Sequence, residues 1–450
     1  MRKYFLLLGF FLSVSSILCA QENLLDFHKN WPQFRGPASN QLPDGNQLPL
    51  EWNNNKNVLW KHEIPGSGWS SPVIWGNKVF ITTAVSDNPI VEQRTKPEKS
   101  SKTEDDDRRN ANFSLELHCL DLNSGNLIWK SVARKGLPAY LTHRDNTYAS
   151  ETPVTDGKHI YVYYGMTGLY CFDFEGSLVW EKNLGTYKLQ SGWGASTSPL
   201  IHNDLLFMQI DSEEKSFLAA FDTDTGEERW RVSRDEKSSW STPIIWKNRA
   251  RTELVTSSRK MRSYDPESGK LLWELDMGGG RNISSPAADA DFLYAGNEER
   301  QGGNILFAVR PGASGDITPK EGESSSSGVV WSHPDAGLAM ASPVLYKGNV
   351  YLFDRRNGFA YCYDAATGKP YYQRQRTPDA KAFWATPWAY DGKLFCTDEG
   401  GTTYVFKAGN EHELLYQNPI SDKIWASAAF AEKSIVFRGV NFVYCIRSRD

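Results

Sequence analysis

Cysteine is scarce in this chain and badly placed for chemistry. Only 6 occur in 450 residues, no two adjacent and none in a Cys-x-x-Cys-His run, so haem attachment and thiolate metal sites lose their usual sequence support. The 8 histidines show no His-x-x-x-His spacing, and no Gly-x-Ser-x-Gly elbow is present, which argues against zinc hydrolysis and acyl transfer. Charge of one sign is lacking too. Lys and Arg number 50 against 54 Asp and Glu, a net charge of −4, and no basic stripe speaks for a nucleic-acid partner. Beyond the first twenty residues no apolar run is long enough to cross a bilayer.

What is abundant is repetition. A nine-residue phrase recurs at 121–129 (DLNSGNLIW), 222–230 (DTDTGEERW) and 265–273 (DPESGKLLW), with degraded copies at 173–180 and 364–372. A second phrase, a small or hydroxyl residue and then Ser or Thr before Pro, ends at Pro72, Pro153, Pro199, Pro243, Pro286, Pro343 and Pro387. An eighth copy, Trp425-Ala426-Ser427-Ala428, has lost its proline. From Pro153 onward the prolines stand 46, 44, 43, 57 and 44 apart, the period of a four-stranded propeller blade and too long for leucine-rich or helical repeats. Eight phrases predict an all-β, eight-bladed β-propeller of four-stranded antiparallel blades.

Within one period, 241–246, 253–257, 261–265 and 270–275 read as strands A to D, broken by turns rich in Asn, Gly and Asp. In the Asp-x-x-[Ser/Thr]-Gly corner the Asp can accept from the turn's own amides, and the Gly supplies a positive φ. The Trp beyond it is placed to pack the outer strand on the neighbouring blade. After Trp425 only three strands remain, at 425–431, 433–437 and 440–446, while 57–63 (NVLWKHE) carries an orphan Trp60 at the strand D position. The N-terminal strand is therefore expected to complete the last blade.

The remaining segments divide around that ring. Residues 1–20, with Arg2 and Lys3, an apolar run and the small exit Cys19-Ala20, read as a secretory signal peptide. Leu18 before Cys19 disfavours a lipid anchor. Residues 21–56 form an N-terminal extension and 57–450 the propeller, periplasmic or secreted and monomeric. Loss of Arg2 and Lys3 takes the net charge to −6. Cys119, Cys171, Cys362 and Cys445 share one strand C position in different blades, too far apart to bridge, and read with Cys396 as small buried residues. Two polar insertions, 86–112 and 311–328, look loose and should lie on opposite faces. A third excursion, 133–150, mixes aromatic and hydrogen-bonding residues suited to packing over the mouth.

That mouth is where D to A and B to C loops converge on the axis. Three residues before the motif proline stand Trp69, Trp240 and Trp384, with Trp425 in the last blade, a set able to stack on a planar or sugar-like ligand. The plainer reading is that they wedge neighbouring blades at the start of each inner strand. Arg259, Arg281, Arg355 and Asp398, with other charged corner residues, offer a funnel of mixed sign for a carboxylated ligand or a peptide, or else a set of solvated turns. No residue is assigned as catalytic or as a metal ligand.

The phrases at 169–173 (LYCFD), 221–226 (FDTDTG) and 363–368 (YDAATG), the opening 31–37 (WPQFRGP) and the segment 148–157 (YASETPVTDG) resemble exported pyrroloquinoline quinone (PQQ)-like repeat propellers of the quinoprotein alcohol dehydrogenase-like superfamily. The resemblance implies two jobs. One branch resembles the outer-membrane β-barrel assembly scaffold, which implies a non-catalytic binding or scaffold protein with an envelope protein or polysaccharide partner. The alternative is a periplasmic dehydrogenase of alcohols or sugars using PQQ with Ca²⁺. That branch sets adjacent cysteines against the quinone, and this chain has none.

Ring closure generates one prediction. Deleting residues 57–63 exposes the last blade's edge and should lower both the melting temperature and the soluble yield. A truncated chain that stays monomeric with an unchanged melting temperature would contradict closure by this strand.

Overall fold

The computed structural model describes residues 29–37, 42, 47–88, 110–165, 167–298, 304–338, 340–355 and 358–448. Residues 1–20, expected to be a signal peptide, and most of the 86–112 insertion lie outside them. The described strands form eight antiparallel sheets in a ring, the eight-bladed propeller read from the repeat. Blade 4 shows the order within a blade, with Ile244–Lys247, Thr252–Ser257, Lys260–Tyr264 and Leu271–Asp276 paired in sequence order. Its strand A starts three residues later than the apolar run suggested. Pro243 has no N–H to give the ladder, and the residues before it bond sideways to the next blade instead.

Blade 8 is Ala429–Ala431, Ser434–Arg438 and Phe442–Arg447, completed by Val58–Glu63. Trp60 stands opposite Cys445 and Glu63 opposite Phe442 in that antiparallel pair, so both chain ends lock the ring. Residues ahead of Val58 are built in as well. Trp31 exchanges backbone hydrogen bonds with Ile74 at 3.0 and 2.8 Å, and buried Arg35 donates to the carbonyls of Pro286 (2.6 Å) and Pro343 (2.9 Å) in blades 5 and 6. Burial pushes the Arg35 guanidinium down to about 9. The segment thus runs from blade 1 across to blades 5 and 6.

The repeated turn and the repeated tryptophan prove to be two halves of one joint. At Asp222 the carboxylate accepts from the amides of Asp224 (3.1 Å) and Thr225 (2.9 Å), and Gly226 N donates back to Asp222 O at 2.9 Å. Gly226 has φ +66°, and a Cβ there would stand 2.7 Å from the Trp180 ring of the preceding blade. The same indole donates Nε1–H to Thr223 O at 3.1 Å. Trp60, Trp129, Trp230 and Trp331 repeat this arrangement on Gly125, Gly176, Gly269 and Gly368 of the next blade. Their N–H groups reach Leu122, Phe174, Pro266 and Ala365 O at 2.9 to 3.0 Å.

A second ring of bonds joins the inner strands. Ser71 N donates to Thr152 Oγ1, Thr152 N to Ser198 Oγ, Ser198 N to Thr242 Oγ1, Thr242 N to Ser285 Oγ and Ser285 N to Ser342 Oγ, all between 2.9 and 3.1 Å. Thr386 N makes the same bond to Ser427 Oγ at 2.9 Å, so the copy without proline still closes its joint. The hydroxyls of five of the seven Ser-Pro or Thr-Pro phrases, and that of Ser427, each satisfy an amide that no ladder reaches. All five described cysteines, Cys119, Cys171, Cys362, Cys396 and Cys445, are buried and unbridged.

One expectation is corrected. Residues 311–328 are ordered, because Gly315–Asp316 pairs in parallel with Trp273 and Glu274 as a fifth strand on blade 4. Its anchor is Ile317, 1% exposed, whose carbonyl accepts from Ser326 Oγ at 2.6 Å. Of the serine run, Ser326 supplies the hydroxyl that reaches the buried isoleucine and accepts from Gly328 and Val329 N.

Gly226→Ala should test the tryptophan joint. It imposes a strained backbone and an overpacked contact together, for a loss of about 2–4 kcal/mol by chemical unfolding. An unchanged unfolding midpoint would show that the indole does not need a bare Cα.

Candidate functional site

The mouth is built where strands A begin. Trp384, Trp425 and Trp69 lead blades 7, 8 and 1, and the ring curvature brings them into one stack. Trp384 and Trp425 have centroids 4.8 Å apart at 13°, and Trp425 and Trp69 4.7 Å apart at 26°. Trp384 Nε1 donates to Glu399 Oε2 at 3.0 Å, and Trp69 Nε1 to Asp145 O at 3.2 Å. Asp145 belongs to the 133–150 excursion, which packs over the mouth through His143 on the Trp193 ring (4.0 Å, 19°) and Asn146 on Trp193 O (2.7 Å).

Charge adjoins the stack on one side. Glu298 Oε1, from blade 5, accepts from Arg281 at 3.3 Å and from Arg355 of blade 6 at 3.0 Å. The Arg355 guanidinium lies 6.0 Å from the Trp384 ring centroid. Among the described residues, buried Glu298 Oε2 and Arg281 Nε have no hydrogen-bond partner. Two cations thus share one carboxylate beside the stack.

The structure therefore joins Trp69, Trp384, Trp425, Arg281 and Arg355 of the eight residues singled out in the sequence. It sets three elsewhere. Trp240 is buried in blade 4 with Nε1 on Gly194 O at 2.7 Å. Arg259 is largely exposed and pairs with Asp276 at 3.1 Å. Asp398 is buried and committed to its own corner, where Oδ1 accepts from Gly400 and Thr402 N and Oδ2 from Lys381 N.

A residue outside that set stands out. Glu151, two before its motif proline, occupies a position that is Ser, Thr or Ala in the other seven copies. It is 2% exposed, Oε1 accepts from Gly165 N at 2.9 Å, and Oε2 has no partner. Burial raises its carboxyl to about 7. The signal was available as the one acid in an otherwise small-residue column. Nearby, Gly165, Ala195, Tyr163, Tyr187 and Gln209 line an open cleft of ≈ 360 Å³ between blades 2 and 3. On the other side of the ring seam, buried Arg438 donates to Ser70 Oγ at 2.9 Å and ties blade 8 to blade 1.

With this geometry in view, comparisons identify the class. The family described as Outer membrane protein assembly factor BamB matches residues 115–373, more than half of the chain, and the chain belongs to that family of PQQ-like repeat propellers. BamB from Moraxella catarrhalis is 11% identical, with 86% of this chain and 98% of that one covered at a TM-score of 0.57. The quinohemoprotein alcohol dehydrogenase from Comamonas testosteroni is 12% identical, covering 94% and 81% at a TM-score of 0.60. At such identities the two share the fold alone with this chain. The tetrathionate hydrolase of Acidithiobacillus ferrooxidans is 22% identical over 340 residues, 70% of this chain. The chain spans about 60% of the length of that curated relative. No described helix is long and apolar enough to cross a membrane.

Glu151 makes the stability of the ring depend on pH. Its native carboxyl holds a proton up to about 7, against 4.5 for the ordinary group, so raising the pH between these values should destabilise the fold. The cost is absent below the lower value and complete above the upper, reaching up to about 3 kcal/mol. Glu151→Gln should flatten this slope in melting temperatures taken from pH 4 to 8. Parallel curves for the two proteins would exclude Glu151 as its source.

Proposed function

We propose that this chain is an exported, non-catalytic binding or scaffold propeller of the cell envelope, engaging a protein or polysaccharide partner at its mouth. The observation that carries the reading is the Trp384, Trp425 and Trp69 stack across three blades, flanked by Arg281 and Arg355 on Glu298. Indole rings offer rigid apolar area to sugar faces and aromatic side chains, and the paired guanidinium groups offer donors to carboxylates. Membership of the assembly-factor family supports a partner-binding role, and its envelope setting supports export.

A quinoprotein dehydrogenase is the second reading, favoured by the mouth tryptophans and by the Comamonas testosteroni neighbour. The residues present do not fit PQQ with Ca²⁺. Trp425 already has Trp69 on one face and Trp384 on the other. Among the described residues, no three His, Cys, Asp or Glu side chains converge to hold a cation.

Crosslinking the protein in the envelope should recover a partner that the Trp384→Ala, Arg355→Ala double variant captures at least about ten-fold less, with its melting temperature preserved. Equal capture by the double variant would overturn the mouth reading. Incubation with PQQ and Ca²⁺, followed by absorbance and dye-linked oxidation of alcohols and sugars, separates the alternatives: stoichiometric retention with turnover establishes the enzyme.

A further inference from the structure

Blade edges in this ring are not all alike, and blade 4 shows what one of them accepts. Its outer strand, Leu271–Asp276, takes Gly315–Asp316 alongside in parallel. Ile317 N then donates to Glu274 O at 2.9 Å, and Asp276 N to Thr318 Oγ1 at 3.0 Å. Ile317 packs in the core between Trp273, Leu275 and Val329. The visiting segment is thus held by main-chain bonds along an edge and by one apolar anchor beside it.

Blade 1 offers both halves of that arrangement without a described visitor. Leu127–Gly136 is the longest outer strand, ten residues, paired on one side only with Phe113–Asp121. Leu127, Ile128 and Val132 are 43%, 46% and 42% exposed, large apolar groups on an edge that soluble proteins usually keep polar. At the mouth end of the strand, Phe113, Leu115, Leu137, Pro138 and Tyr148 line an open cleft of ≈ 280 Å³, with Arg134 on its wall. Leu137 is 61% exposed at the rim.

Charge selects the occupant. The strand carries no acid; its Lys130 is paired with Glu116 of the adjacent strand at 3.3 Å, which leaves Arg134 and Lys135 as its outward cations. Pairing with a second copy would set these cations against one another, whereas an acidic strand would meet complementary charge. We propose that the outer edge of blade 1 is a docking site for an extended, acidic segment of another protein, which adds as a fifth strand and places an apolar side chain in the cleft. Main-chain bonds supply affinity, and the cleft with Arg134 and Lys135 supplies selectivity. This site is separate from the tryptophan stack.

The probe is a fluorescein-labelled decapeptide alternating valine with glutamate and ending in phenylalanine, titrated into the full-length protein by anisotropy. Saturable binding is expected, weakened at least about ten-fold by Arg134→Glu with Lys135→Glu and by Leu137→Asp. The same peptide interrupted by two prolines should not bind, because edge pairing needs its N–H groups. Hydrogen exchange should show new protection at residues 127–136, and Trp384→Ala should bind as the parent does. Absence of binding, equal binding of a lysine-for-glutamate peptide, or protection elsewhere would each overturn the proposal. A melting temperature preserved in the charge-reversal variant separates lost docking from lost folding.

Discussion

An indole laid on a bare glycine Cα is the contact on which this ring depends. The strand D tryptophan of one blade must meet a turn of the next that has no Cβ and that presents a carbonyl to the indole N–H. Gly226 under Trp180 satisfies both demands, because the Asp222 carboxylate fixes the turn and leaves Thr223 O facing outward. A buried ring and its hydrogen bond are modest in energy singly. Repeated at five of the eight seams, they set the spacing of those blades. The seam after blade 4 shows what can replace the joint. Trp273 has no such turn to rest on, because residues 311–328 replace the C to D corner of blade 5. Its N–H goes to Glu253 Oε2 at 2.7 Å, and the parallel strand at Gly315 covers it instead.

The hydroxyl ring at the inner strands does a different job. There the chain enters seven of the eight blades through a proline, so a neighbouring amide would be left without a ladder partner. Placing a Ser or Thr before that proline satisfies it from the adjacent blade. Outer and inner joints together use nearly every repeated residue for assembly. Arg35 adds a link across the axis, bonding carbonyls of two blades far from its own segment.

The architecture was legible because both joints require fixed residue types at a fixed spacing, and a period survives even where one copy loses its proline. The roles were less so. Ser71 and Thr152 look like turn residues until ring geometry brings one amide to the other's hydroxyl. The 311–328 segment has the composition of a loose loop, and one Ile317 among serines gives no periodic signal for a strand. At the mouth, Trp69, Trp240, Trp384 and Trp425 occupy equivalent columns. Their environments diverge because blades 7, 8 and 1 are consecutive, whereas the blades on either side of Trp240 carry Ser196 and Ile283 in that column, so Trp240 bonds to Gly194 O while the other three meet. Asp398 reads as a funnel charge, yet its backbone neighbours claim both oxygens.

Function in such a ring must come from what the joints leave over. The stack at the seam of blades 7, 8 and 1 serves no repeated joint, and Trp425 is already sandwiched, so a partner reaches the outer faces and rims of three indoles as a broad surface. That geometry suits an extended polymer or a protein segment better than one planar molecule in a slot. Arg281 and Arg355 sharing Glu298 extend the same surface with a net cation. A ligand carboxylate there would gain donors without leaving a buried acid alone, since Glu298 keeps one arginine if it yields the other. A partner held at the proposed mouth site would leave the ring intact, because none of the contacts there belongs to the tryptophan or hydroxyl joints that hold the blades together.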